Sequence, residues 1–134
     1  MNQIVISPEV EKLATICVDA AFAVHRELGP GLLESAYLAC FVHDLNLRGV
    51  AFQKELPVAL NYKSVRIEVG FRADVVAENK LLIELKAVEQ VLPIHKAQVI
   101  TYLKLMRLPL GLLINFNEVL IKHGLQRVLN IEKS

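Results

Sequence analysis

The chain has 134 residues, 15 Lys and Arg against 14 Asp and Glu, a formal net charge of +1, and 54% hydrophobic residues. That apolar content excludes a disordered chain, and the length suits one domain, residues 1–134, with a single sizeable core. The near-neutral balance excludes a clear basic excess, so any surface that grips nucleic acid has to be local, balanced by acids elsewhere, or completed by a partner.

Ser7-Pro8 marks a helix start, with an N-cap candidate, a proline at the first helical position, and Glu9 and Glu11 in the first turn. Leu13, Ile16, Cys17, Ala20, Ala21, Val24 and Leu28 keep the helical period until Gly29 stops it. After the break Gly29-Pro30-Gly31, a second helix is predicted from about Leu32 to Leu47, with Leu33, Tyr37, Cys40, Phe41 and Leu45 on its apolar stripe. Three strands follow, over Phe52 to Tyr62, Val65 to Ala77 and Leu81 to Val88; Pro57 marks the first as an edge strand or a bulge. A third helix runs from Ile94 to Met106. Leu110 to Phe116 reads as a strand buried on both faces, and a last short strand falls within Gly124 to Asn130. A helix linking Leu81–Val88 to Leu110–Phe116 predicts two parallel, adjacent central strands. The order is that of an α/β domain.

No apolar run approaches the ~20 residues of a membrane-spanning helix. No signal peptide is visible at Met1-Asn2-Gln3, and Cys17 and Cys40 lack metal-type spacing. Two reduced core thiols in a cytoplasmic protein are expected.

The chemistry concentrates in two strands. Glu84 and Lys86 interrupt the apolar run Leu81 to Val88 and, two apart, share a face. Charges on such a scaffold persist when paired, hydrogen-bonded or metal-bound. Asp74 lies in the preceding strand, and Glu78-Asn79-Lys80 reads as the hairpin turn between them. A loop of two or three residues sets Asp74 opposite Leu85 or Glu84, and either register brings Asp74, Glu84 and Lys86 to one site. Two carboxylates, the Leu85 carbonyl and an ammonium suit a divalent-metal hydrolytic centre, with Lys86 serving the attacking water. The competing reading is a structural ion pair between Glu84 and Lys86. Glu34 either adds a third acidic ligand or merely favours the start of its helix. Gln98 and Tyr102, spaced i and i+4, either face the sheet and hold substrate phosphate or mark an amphipathic boundary. Arg72 is expected on the Asp74 face, as a phosphate clamp or a counter-ion. The four histidines form no cluster; His25 draws attention only by its nearness to Gly29-Pro30-Gly31 and Glu34.

The segment Gly31-Leu32-Leu33-Glu34-Ser35-Ala36-Tyr37 resembles the signature of the GxxExxY family, and the likeness extends from Val24 to Phe116. That family resembles a branch of the PD-(D/E)XK nuclease superfamily. The resemblance implies a restriction-endonuclease-like core, αβββαβ, with a mixed central sheet flanked by helices. It makes Asp74 the motif aspartate, Glu84-Leu85-Lys86 the Glu-x-Lys, Gln98 and Tyr102 a Gln-xxx-Tyr pair, and Glu34 the acid of the N-terminal helix. The expected protein is a Mg2+- or Mn2+-dependent nuclease acting on DNA, with RNA as the lesser choice. Metal would be held by Glu34, Asp74, Glu84 and Leu85, and substrate by Arg72, Gln98 and Tyr102. A homodimer is expected, since the apolar content exceeds what so small a monomer needs. The alternative is an inactive nuclease-fold module that binds nucleic acid or a protein partner.

Overall fold

The computed structural model describes residues 5–131; the stretch Met1-Asn2-Gln3 lies outside them. Two helices open the chain, α1 (Pro8–Leu28) and α2 (Glu34–Leu47). Ser7 Oγ caps α1 by accepting a hydrogen bond from Val10 N at 3.2 Å, and Pro8 fits the first turn, where its missing N–H has no partner to lose. Then come β1 (Phe52–Tyr62), β2 (Val65–Ala77) and β3 (Leu81–Lys86), the crossover helix α3 (Pro93–Met106), β4 (Leu110–Asn115), a short 3-10 turn, and β5 (Leu125–Leu129).

Among the described residues, the strands form one sheet in the order β1-β2-β3-β4-β5. The pair β3/β4 is parallel and its neighbours pair antiparallel, so the crossover predicted from sequence is present and the sheet is mixed. Pro57 is tolerated because β1 is the edge strand.

Helices α1 and α2 cover one face, burying Val75, Ala77, Leu81, Ile83, Leu85, Leu112 and Ile114. Helix α3 covers the other, where Val99, Tyr102 and Leu103 meet Val76, Leu82 and Leu113. A Cβ on Gly111 would come within 2.9 Å of Val99 Cγ1, so the bare glycine lets α3 lie close on β4. The period of two then sends Glu84 and Lys86, with Leu82, toward the α3 side.

The stripe expected on α2 is partly wrong. Tyr37, Phe41, Val42 and Leu45 are buried, but Leu33 precedes the helix and is 77% exposed. Cys17 is a core thiol, pushed up to about 12 chiefly by burial, whereas Cys40 is exposed. Leu38 and Val42 take the neighbouring apolar positions, so the short α2 has no need of Cys40 in its seam.

Candidate active site

Ladder pairing of β2 with β3 runs Ala77–Leu81, Val76–Leu82 and Val75–Ile83, around a three-residue loop in which Glu78 and Asn79 take positive φ. Of the two registers open from sequence, this one sets Asp74 against Glu84. The ladder stops at Val75–Ile83, and just past it one N–H of each strand is taken by the other strand's carboxylate. Asp74 N donates to Glu84 Oε2 at 2.7 Å, and Leu85 N donates to Asp74 Oδ2 at 2.8 Å. Such charge-assisted bonds, made to rigid backbone, fix both carboxyl groups where the strands part.

Only 4% of Glu84 is exposed. Its carboxyl is pushed up to about 8, first by burial and then by the Asp74 carboxylate, while the Asp74 N–H and the Lys86 ammonium oppose the rise. Glu34, the first residue of α2, is raised by burial and then by Asp74, with Lys86 acting against both. The Tyr102 phenol is raised by burial, then by Glu84 and Asp74, against the bond that Gln98 Nε2 donates to Tyr102 Oη at 3.3 Å. These mutual influences put Glu34, Asp74, Glu84, Lys86 and Tyr102 in one electrostatic neighbourhood, and α3 presents its Gln98–Tyr102 side to it.

At three residues the structure decides between the sequence readings or departs from them. Lys86 forms no ion pair among the described residues, so Glu84 is held by backbone and not by its sequence neighbour. Glu34 does not close onto the other two acids: no group of three His, Cys, Asp or Glu side chains converges at metal-holding distance among the described residues. Arg72 is exposed, unpaired among the described residues, and absent from the charges acting on Glu34 and Glu84. The reason is an irregularity at Asp74 itself. Against β1 the ladder skips the Glu55–Asp74 rung, with Glu55 at φ 50°, and Ala73 and Val76 join the α3-side core while Val75 and Ala77 join the α1/α2 side, so strict alternation is broken between Arg72 and Asp74. Phe71, two residues from Ala73, lies on the α3 side, its ring centroid 6.3 Å from that of Tyr102.

Residues not singled out as site residues in the sequence hold the frame. Asn115, fully buried, accepts from Val88 N at 3.1 Å and Asn117 N at 3.2 Å and donates to Val88 O at 2.9 Å, clamping the segment just past Lys86. A polar residue inside the apolar run of β4 was its signal. Tyr37 Oη donates to Gly29 O at 2.6 Å and accepts from Leu32 N at 3.1 Å, while Asn117 Oδ1 accepts from Gly31 N at 3.1 Å. The loop that delivers Glu34 is thus tied at both ends, and Gly31 at φ 100° supplies its bend. The Tyr37 ring stacks on Phe116 with centroids 4.7 Å apart. His25 donates from Nε2 to Glu118 O at 2.7 Å, a helix-to-turn clamp.

The donor set suits a small hard cation. Asp74 and Glu84 each spend one oxygen on backbone, and the second oxygen of each has no protein donor among the described residues. Among the described residues no helix is long and apolar enough to cross a membrane.

The family model of the PD-(D/E)XK nuclease superfamily matches residues 11–128. No curated protein and no solved structure matches the chain. With nearly its whole length matched, the chain belongs to the PD-(D/E)XK nuclease superfamily.

Proposed function

We propose that this member of the PD-(D/E)XK nuclease superfamily is a phosphodiesterase that cleaves DNA, with RNA as the lesser choice, using Mg2+ or Mn2+. One observation carries the reading: the Asp74 N–H holds the Glu84 carboxylate and the Leu85 N–H holds the Asp74 carboxylate, with Lys86, in no ion pair among the described residues, on the same strand as Glu84. Asp74, Glu84 and the Leu85 carbonyl would hold the cation, with Glu34 approaching from α2. When bound, it would supply Lewis-acid polarisation of the phosphate and of a water.

The chain's own residues do the rest. The Lys86 ammonium, not spent on Glu84, is available to orient the attacking water and exchange its proton. Gln98 and Tyr102 offer an amide and a phenol to phosphate oxygens on the α3 side. Arg72 contacts phosphate from outside the carboxylate cluster. The GxxExxY reading is supported by the part each residue takes: Gly31 bends the loop, Glu34 is aimed, and Tyr37 ties the loop down. Two free thiols suit a reducing compartment, here the cytoplasm, and the exposed apolar side chains Leu33, Leu47 and Ile94 suit a homodimer.

Calorimetric titration with Mn2+ should give binding in the parent and none in Asp74→Ala, and only the parent should cut DNA. Equal metal binding by the two proteins, or cleavage surviving in Asp74→Ala, would refute the assignment. Metal-independent DNA binding without cleavage would favour the inactive module.

A further inference from the structure

Beside the carboxylate pair, on the α3 side, lies a cavity of about 440 Å3. Its apolar wall is made by Leu60, Phe71, Ile94 and Leu105, and Gln98 and Tyr102 close it toward the catalytic face. The Tyr102 ring therefore lines the cavity while its phenol feels Glu84 and Asp74. Tyr102 is thus shared between the cavity wall and the neighbourhood of the carboxylates.

Phe71 gives this space a direction. It is 41% exposed, and its ring meets Tyr102 tilted by 52°, so one ring faces protein at its edge and keeps surface open to an occupant. It lies two residues from Ala73 on the α3 side, and the adjoining bulge, where Val58–Phe71 steps to Leu60–Ile67, ends the regular rungs beside it. An aromatic ring aimed into an open cavity beside a phosphodiester site is the device by which unpaired bases are held, because every base has a π face.

The charge balance favours the same occupant. With a net charge of +1, the chain has no cation surplus to neutralise a long stretch of duplex backbone. Stacking needs no such surplus. Resting on the nuclease reading above, we propose that the cavity receives one unpaired base of the substrate strand, stacked on Phe71 with Gln98 at its polar edge. The preferred substrate is then single-stranded or locally unpaired nucleic acid, not intact duplex.

The test uses the whole chain in calcium, a short single strand carrying one 2-aminopurine, and the blunt duplex of the same sequence. The single strand should bind more tightly than the duplex, with the reporter's fluorescence quenched by stacking. Phe71→Ala should weaken single-strand binding by roughly 5- to 100-fold and abolish the quench, leaving duplex binding and Mn2+ binding unchanged, and Phe71→Trp should restore both. Equal losses on both nucleic acids, or no loss on either, would overturn the proposal. So would a lower molar mass in Phe71→Ala with single-strand affinity intact, which would assign the cavity to a second copy. If Mn2+ binding and cleavage persist while Phe71→Ala changes nothing, the base pocket alone falls. If the parent binds neither Mn2+ nor nucleic acid, the nuclease reading falls with it.

Discussion

Raising the pH of the metal-free protein from about 5 to about 8 should destabilise it, because the fold holds a proton on the Glu84–Asp74 pair. The Glu84 carboxyl rises from 4.5 to about 8, by burial first and by Asp74 second. Its folded-state affinity for the proton therefore exceeds the unfolded one. The associated stability is fully present below the unfolded value and is lost as pH climbs through the folded value, then levels off. At ~1.36 kcal/mol for each tenfold change in proton affinity the loss is at most ~5 kcal/mol. Relaxation and water entry around an ionised buried carboxyl bring it to about 2–4 kcal/mol. For a chain of this size that is on the order of 10 °C in Tm. The assay is thermal unfolding in EDTA across this range, parent against Glu84→Gln, whose difference cancels the histidines. Glu84→Gln should flatten the slope and be the more stable protein at the alkaline end. Adding Mn2+ at about 100 times its Kd should return ~2.7 kcal/mol to the parent. A parent profile that is flat or rises with pH, or one that Glu84→Gln leaves unaltered, would refute the electrostatics drawn here.

Lys86→Met should cut cleavage by ~10²–10⁴-fold while leaving Mn2+ binding and urea stability close to parental, since no ion pair is lost; undiminished cleavage would remove Lys86 from the chemistry. Tyr37→Phe strips partners from Gly29 O and Leu32 N and should cost about 1–3 kcal/mol in urea unfolding, with weaker Mn2+ binding as the Glu34 loop slackens. Arg72→Ala should lower the slope of log affinity against log salt by ~1 on a short oligonucleotide, and an unchanged slope would deny it a phosphate contact. Gly124→Ala drives a Cβ to 2.4 Å from the Asn115 carbonyl oxygen and should destabilise by about 1–3 kcal/mol or more, since the opposing atom is backbone.

Period and punctuation made the fold legible. Ser7-Pro8, Gly29 and the continuous apolar run of β4 are local signals whose physical causes act within a few residues, so the elements fell where the pattern put them. The parallel β3/β4 pair followed from the length of the connection between them. Asp74 and Glu84 were legible as a pair because a hairpin fixes register by counting. What failed depends on departures from regularity. Strict alternation puts Arg72 on the Asp74 face, but the missing Glu55–Asp74 rung, with Glu55 at φ 50°, breaks the alternation between the two. Cys40 was assigned to the core by period, yet α2 is only partly covered and leaves it exposed. Asn115, Asn117 and Tyr37 act across the chain, joining residues 27 to 86 positions apart or tying a loop to a helix, and nothing in their local sequence announces the partner.

The site and the strand geometry have one cause. A β-hairpin normally satisfies its own backbone, rung by rung. Here β2 and β3 part after Val75–Ile83, where β3 keeps its pairing with β4 through Lys86–Asn115 while β2 stays with β1. The parting frees an N–H on each strand in a half-buried place, where an unpaired donor is costly. An acid on each strand answers the other's donor, which satisfies the backbone and crowds two carboxyl groups together. Three acids then face a single ammonium, Lys86. Burial raises the Glu34 and Glu84 carboxyls first, and that surplus of negative charge raises them further. A divalent cation would remove the surplus that the fold itself creates, so the same geometry that secures the sheet's open fork should be more stable with metal than without it.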